Sequence, residues 1–363
     1  MKTDFSPLSS AVTIGPAHRM TVTDVAKAAE VSRTTVSYVL SGRDGVRVPE
    51  GTRQRILDAA ERLGYRRNAL GGALRTGRIN TIGIIAPVKL MTSPPGTPGA
   101  VYFKDLVLAL SAAAFEAGLN PMFISEDPLH RISIADLTDR RVDGVILFAK
   151  VDVQRFVQES QESQVPCVTI GSEHGACQVH TNHIEGGLMA TEHLLGLGHR
   201  DIGYFWSGEG SYAGISRREG YRRALRRAGV SMKPSWEISA RIPEMLREVL
   251  SARVRPTAIF CYNEELAVVL LDLCRELKIR VPEELSVVGF DDTILAVTAR
   301  PRLTTIRSPL MGLSQAAVEM LQSQIRGEIC SSQPVLVSPS LTERDSTCPP
   351  FKPPSLAASV PIS

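Results

Sequence analysis

Val22, Val25, Ala26 and Ala29 recur at helical spacing, and after a short break Val36, Val39 and Leu40 do so again. This pattern predicts two short helices joined by a tight corner, with Ser32 placed to N-cap the second. A third helix pattern runs from Glu50 to Leu63, entered through Val48-Pro49, with Ile56, Leu57, Ala60 and Leu63 facing inward. Arg33, Thr34, Ser37 and Tyr38 are left on the outer face of the second helix, near its start. Two readings fit. One is a solvent-facing helical hairpin in a bundle. The other is a helix-turn-helix, whose second helix lies in the major groove while its neighbours grip phosphates.

Beyond residue 80 the pattern changes to short apolar runs alternating with amphipathic stretches, as in parallel α/β sheets. Strands are expected at 81–86, 120–125, 144–148, 167–170, 202–206, 258–261 and 286–290. Helices are expected at 103–117, 185–197, 215–228, 243–252, 263–276 and 309–324. The rhythm restarts near residue 200, which suggests two similar lobes with a cleft at the C-terminal strand edges, where such folds bind ligands.

Charge favours the groove reading of the N-terminal helices. Residues 1–80 hold 13 Lys and Arg against 7 Asp and Glu, whereas the remainder holds 28 against 31. A basic module on a mildly acidic body points to a polyanion partner at one end. No run of 18 apolar residues offers a membrane span, and residues 1–20 lack an apolar signal core, so a cytoplasmic protein is expected. Those residues read either as a disordered extension or as sequence ahead of a start at Met20. The six cysteines, Cys167, Cys177, Cys261, Cys274, Cys330 and Cys348, show no C-x-x-C spacing and are expected to be reduced and packed. His180 and His183 form an H-x-x-H near His174, but no second cluster completes a ligand set, so structural histidines and no metal or cofactor are expected.

After the third helix the chain reads Leu63-Gly64-Tyr65, then Asn68, then Leu74-Arg75-Thr76-Gly77. With Asp24-Val25-Ala26 and Val31-Ser32-x-x-Thr35-Val36-Ser37, these segments resemble the lac repressor family of bacterial transcription regulators, and the likeness continues to about residue 345. Each motif is modest, but their order and spacing are specific. The resemblance implies an all-α helix-turn-helix domain plus an α/β effector domain of two doubly wound lobes like those of periplasmic sugar-binding proteins. The implied layout is a disordered extension at 1–20, a DNA-binding domain at 21–66, a hinge at 67–78, a two-lobed effector and dimerisation domain at 79–346, and a disordered tail at 347–363. It also implies a bacterial, nucleoid-associated regulator, a homodimer on a pseudo-palindromic DNA operator, released or recruited by a small-molecule effector. The tail lacks heptads, so no tetramerising coiled coil is expected.

Candidate DNA contacts are Thr23, Ser32, Arg33, Thr34, Thr35, Ser37, Tyr38, Ser41 and Arg47 in the reading head, with Asn68, Leu74 and Arg75 in the hinge. By resemblance the hinge folds into a minor-groove helix on DNA, with Leu74 as the wedge between base pairs. Gly71-Gly72 should each cost about 1 kcal/mol against alanine in such a helix, or else simply make a flexible linker. Tyr38 stands where many relatives carry an arginine, and a tyrosine cannot make the forked contact to guanine, so Arg33 is the candidate for it. Glu30 replaces the common turn glycine, and Arg67 a usual proline.

Effector candidates sit at strand ends: Arg217 in Ser216-Arg217-Arg218-Glu219-Gly220, Asn263 after Tyr262, and Asp291 after Val287-Val288-Gly289-Phe290. Together they could hydrogen-bond vicinal hydroxyls. Alternatively, Arg217 and Asp291 form a structural ion pair. In the first lobe Phe148, Tyr102 and Phe103 are candidate contacts, with Trp206 and Trp236 as further stacking walls or core packing. Phe148 and Gly171 stand where relatives are often polar, Thr181-Asn182 replaces the usual Asp-Asn, and the loop 91–99 is rich in Pro and Gly. These departures leave the effector class open between a sugar and another metabolite. A ligand-binding protein with lost or weakened DNA binding remains the alternative function. Catalysis is not expected, since no nucleophile elbow, Walker-type loop or metal cluster is present and Gly208-x-Gly210 is too weak a signal.

Overall fold

In the computed structural model the described residues are 20–41, 47–65, 78–87, 90, 92–93, 99–126, 132–134, 137, 141–148, 151–207, 210–331 and 333–351. The chain divides into two compact units, residues 1–77 and 78–363.

In the first unit, α1 (Val22–Ala28), α2 (Arg33–Ser41) and α3 (Glu50–Arg62) pack around Val25, Val36 and Ile56. A capping box opens α1: the Thr21 N–H donates to the Asp24 carboxylate at 2.8 Å, and Thr21 Oγ1 accepts from the Asp24 N–H. Ser32 caps α2 as its position predicts, accepting from the Thr35 N–H at 3.1 Å. The corner between them places Glu30 at φ 53, a left-handed conformation that a non-glycine residue adopts at a cost of about 1 kcal/mol. Leu57, expected inward, is 42% exposed, and Ala59 takes its place in the core. The stripe that starts at Ile56 continues at 59, 60 and 63, and Leu57 lies about 100° around the helix from it.

The second unit carries two six-stranded sheets. The first has the order β11-β5-β4-β3-β1-β2, all parallel: β1 (Thr81–Pro87), β2 (Asn120–Glu126), β3 (Gly144–Phe148), β4 (Cys167–Ile170), β5 (Gln178–Thr181) and β11 (Val335–Val337). The second has the order β12-β10-β9-β8-β6-β7: β6 (Ile202–Trp206), β7 (Glu237–Ser239), β8 (Ala258–Cys261), β9 (Ser286–Asp291), β10 (Thr304–Arg307) and β12 (Ser340–Thr342). Among the described residues only the β10–β12 pairing is antiparallel. Apolar cores cover both faces of each sheet, which is why the central strands read as continuous apolar runs. Helices α4 (Ala100–Glu116) and α11 (Leu310–Ile325) cover one face of the first sheet, and α5 (Val153–Ser163) the other. Helices α6 (His183–Gly196) and α7 (Tyr212–Arg227) cover one face of the second, with α8 (Pro243–Ser251), α9 (Glu264–Glu276) and α10 (Ile294–Thr298) opposite.

The chain passes between lobes three times, after β5, after β10 and after β11. The second lobe therefore begins with α6 rather than near residue 200, and α11 and β11 return to the first. Strands β5, β7, β10, β11 and β12 and helices α5 and α10 were not legible from the apolar pattern. Within the second lobe α6 and α7 touch backbone to backbone. A Cβ on Gly220 would fall 2.2 Å from the Ile184 carbonyl oxygen, and one on Gly187 2.2 Å from that of Arg217. That contact is the physical reason for a glycine three residues after Arg217.

Two expectations for the cysteines and the tail differ from what is observed. Cys177 and Cys330 are joined in a disulfide with Cα atoms 6.0 Å apart, whereas Cys167, Cys261, Cys274 and Cys348 are free. Thr347 and Cys348 are bonded into the second lobe, through Thr304 Oγ1 at 3.1 Å and through the Ser286 hydroxyl at 3.0 Å. Among the described residues no helix is long and apolar enough to cross a membrane.

Candidate functional site

Between the lobes, C-terminal strand edges bring together a buried polar cluster. Arg217, on the second turn of α7, is 3% exposed. Its guanidinium donates to the Tyr262 carbonyl at 2.6 Å, to Asp291 Oδ1 at 3.0 Å and to His183 Nδ1 at 3.3 Å. It also lies 3.5 Å over the Phe290 ring and 4.7 Å over that of Tyr262. Asp291 Oδ1 accepts a second bond from the Ser308 hydroxyl at 3.0 Å. The ion pair of Arg217 with Asp291, which stood as the alternative to effector contact, is present, and both side chains are buried.

The backbone beneath this pair is strained. Asp291 and Asp292 have φ 107 and 59, unusual for residues with side chains. They are held by Arg307 and Arg344, each 2.6 Å from the Asp292 carboxylate, and by Glu264, which accepts from the Asp292 N–H at 2.8 Å. Glu264 also accepts from the Thr293 and Thr305 hydroxyls. Burial, with the Asp291 charge adding, pushes the Glu264 carboxyl up to about 8, so it is mostly protonated at neutral pH.

Asn263 is nearby, but its amide is already engaged. Its Oδ1 caps α9 by accepting from the Leu266 N–H at 3.1 Å, and its Nδ2 donates to Glu265 at 2.9 Å. Glu265 in turn reaches the other lobe, accepting from the Gly99 N–H at the start of α4, 2.6 and 2.8 Å from its two oxygens. Burial raises the Glu265 carboxyl as well.

The first lobe contributes Tyr102, whose phenol is held protonated by burial and by the Asp291 charge, with Arg217 opposing. Thr181 at the end of β5 is 2% exposed, and its hydroxyl faces the Tyr102 phenol. His180 Nδ1 has no hydrogen-bond partner, while its Nε2 faces Gln178 Oε1 at 3.1 Å. His183 is neutral, held well below the ordinary histidine range by burial and by the Arg217 charge. Both histidine rings face Tyr212, at 4.5 and 5.9 Å.

Two expected contacts move elsewhere. Phe103 and Phe148 pack edge-to-face at 5.0 Å inside the first-lobe core and are both buried there. Phe148, the last residue of β3, points at α4 rather than beyond the strand end. Trp236 is buried ahead of the edge strand β7, with Lys233 Nζ 3.8 Å from its ring, and half-buried Trp206 stacks near Arg218. Sequence reasoning missed Glu264, Glu265, His183 and Ser308. The available signal was a pair of carboxylates in the first turn of a helix that directly follows a buried strand.

In the first unit, Arg33, Thr34 and Arg47 are exposed, whereas Thr23, Thr35, Ser37 and Tyr38 are half-buried. The Ser32 and Thr35 hydroxyls bond each other at 2.8 Å as part of the cap. The Ser41 side chain, and Asn68, Leu74 and Arg75, lie outside the described residues.

Residues 21–68 match the family model of bacterial regulatory proteins, lacI family, and residues 191–347 match a periplasmic binding protein-like domain. The chain is 32% identical over 345 residues to the HTH-type transcriptional regulator DegA of Bacillus subtilis, covering 91% of this chain and 99% of DegA. The chain belongs to the LacI family. It is also 28% identical to the HTH-type transcriptional repressor PurR of Photobacterium profundum, over 90% of this chain and 98% of PurR. Its fold is similar to that of the transcriptional regulator CelR in a cellobiose complex, with a TM-score of 0.62 and 27% identity, covering 90% of this chain and all of that one. Like its LacI-family relatives, the chain is a DNA-binding transcriptional regulator with a periplasmic-binding-protein-like effector domain.

Proposed function

We propose that this LacI-family chain is an operator-binding repressor whose DNA affinity is set by a small polar metabolite held between the lobes by Arg217, Asp291, Tyr102 and Thr181. The observation that carries the reading is a buried ion pair from the second lobe beside Tyr102 and Thr181 of the first. The site is lined by donors and acceptors of both signs and by aromatic rings, which suits a compact hydroxylated or heterocyclic molecule rather than a strong polyanion. Asn263 serves this site as the cap that positions Glu265 rather than as a direct contact, and Phe103 and Phe148 act as supporting core.

On the DNA side, Arg33 and Thr34 are the base-edge contacts, and Ser37, Tyr38 and Ser41 lie along the same helix. Thr23 and Arg47 serve phosphates, with the Ser32 and Thr35 hydroxyls holding the helix start. Asn68, Leu74 and Arg75 act in the minor groove. Homodimerisation uses the exposed apolar residues Leu108 and Phe115 on α4 with Met122 and Phe123 on the edge strand β2. Effector binding then acts only as far as it prefers one lobe arrangement over the other.

The test is selection of a site from random DNA by the full chain, followed by titration of the selected duplex at several salt concentrations. An enriched pseudo-palindrome supports the reading. Binding that never exceeds that of random duplex would favour a ligand-binding protein without an operator.

A further inference from the structure

Strands β5 and β11 lie side by side in parallel, Val335 against Val179 and Val337 against Thr181. Both lead directly out of the first lobe, β5 into α6 and β11 into β12. The cleft end of this pair is closed by the Asn182 N–H, which donates to the Val337 carbonyl at 2.8 Å, and by the Ser338 hydroxyl, 2.7 Å from Glu185. At the opposite end sit Cys177, immediately before β5, and Cys330, five residues before β11, joined across 153 residues of chain. The disulfide therefore ties together two of the three segments by which the lobes connect. β11 has only three residues, two of them exposed, and its other ties are the β5 ladder, the Asn182 bond and the packing of Val337 on the first-lobe core.

A disulfide is out of place in a protein that works on DNA, because that compartment keeps thiols reduced. Those that do form there are mostly transient or redox-sensing. This bond is also accessible. A cavity of about 380 Å³ that opens to solvent is lined by Cys177, Cys330, Cys167, Gln161, Gln324 and Glu328, and Cys330 itself is half-buried. The third cysteine in the cavity does not compete: burial pushes the Cys167 thiol up to about 12, so it stays protonated.

We propose that Cys177 and Cys330 form a reversible thiol–disulfide switch that locks or releases the two lobe-crossing strands. In the reducing direction a low-molecular-weight thiolate attacks Cys330 Sγ, breaking the Sγ–Sγ bond. A mixed disulfide forms, and the Cys177 thiolate leaves and takes up a proton. A second small thiol then displaces Cys330, leaving two protein thiols and one small disulfide. In the oxidising direction, hydrogen peroxide takes two electrons and two protons from the thiol pair and yields two waters.

The experiment compares the full chain treated with dithiothreitol or with hydrogen peroxide, using alkylation, peptide mass spectrometry and amide hydrogen exchange. Peroxide should protect Cys177 and Cys330 together from alkylation and slow exchange in residues 178–182 and 335–342 on the order of tenfold. Cys177→Ser and Cys330→Ser should each exchange like the reduced chain under both treatments, and Cys167→Ser should still respond. Equal exchange in the oxidised and reduced chain would overturn the proposal. So would alkylation of both cysteines after peroxide, or loss of the response in Cys167→Ser alone. These readouts need neither operator nor effector, so they stand apart from the proposed regulatory function.

Discussion

Replacing Asp291 with alanine leaves the Arg217 guanidinium buried without its counter-charge. The remaining partners, the Tyr262 carbonyl, His183 Nδ1 and the Phe290 ring, are neutral. Removing one partner of a buried ion pair costs about 3–5 kcal/mol, and the lost Ser308 hydrogen bond adds about 1 kcal/mol. Entry of water into the cleft offsets part of this, so a loss of about 3–4 kcal/mol is expected. Asp291→Asn keeps an oxygen for both Arg217 and Ser308, and asparagine tolerates φ 107 better than most residues. Its cost should be about half as large. The assay is built into the chain, because both tryptophans, Trp206 and Trp236, belong to the second lobe. Urea unfolding followed by tryptophan fluorescence therefore reports the lobe that holds the pair. A loss below about 1 kcal/mol for alanine would refute the view that the pair is a buried, charge-balanced unit.

The Glu264 carboxyl is raised in the folded state, so the folded chain holds a proton that the unfolded chain has released above pH 4.5. Its contribution to stability is thus full below about 4.5 and is lost as the pH rises through about 8; the wild-type minus Glu264→Gln stability difference should fall across that window, and a flat difference would reject it. Glu30→Gly relieves a left-handed residue and should stabilise the first unit by about 1 kcal/mol, seen as roughly fivefold slower amide exchange in residues 22–41. Phe115 is 78% exposed on α4, and Phe115→Glu should shift the chain from dimer to monomer in sedimentation velocity while far-UV circular dichroism stays unchanged.

The central strands were legible with their ends. β3, β4, β6 and β8 are short apolar runs buried on both faces, and the pattern alone located them. Strand β5 was hidden because Gln178-Val179-His180-Thr181 offers one aliphatic residue, its pairing being decided by β4 and β11 rather than by its own composition. In the site, Arg217 and Asp291 stood out by motif, but that they meet across 74 residues is a product of the α6–α7 contact. Glu264 looked like an ordinary first-turn carboxylate. Its burial depends on the Asp292 backbone and the Thr305 hydroxyl, which arrive from β9 and β10. Cys177 and Cys330 follow no spacing rule, since a pairing across 153 residues is set by topology. The aromatic wall was misplaced because strand-end position does not fix which face a side chain takes, and Phe148 takes the core face.

In the proposed mechanism a ligand between the lobes controls how the N-terminal helices read DNA. The direct test is fluorescence anisotropy of a selected pseudo-palindromic duplex bound by the full chain, titrated with sugars, nucleosides and nucleobases. One compound should change operator affinity by roughly tenfold or more, within the range of known coupling energies, and Asp291→Asn should still bind the duplex but lose that response. A duplex affinity that no compound changes, or a response that survives intact in Asp291→Asn, would contradict it.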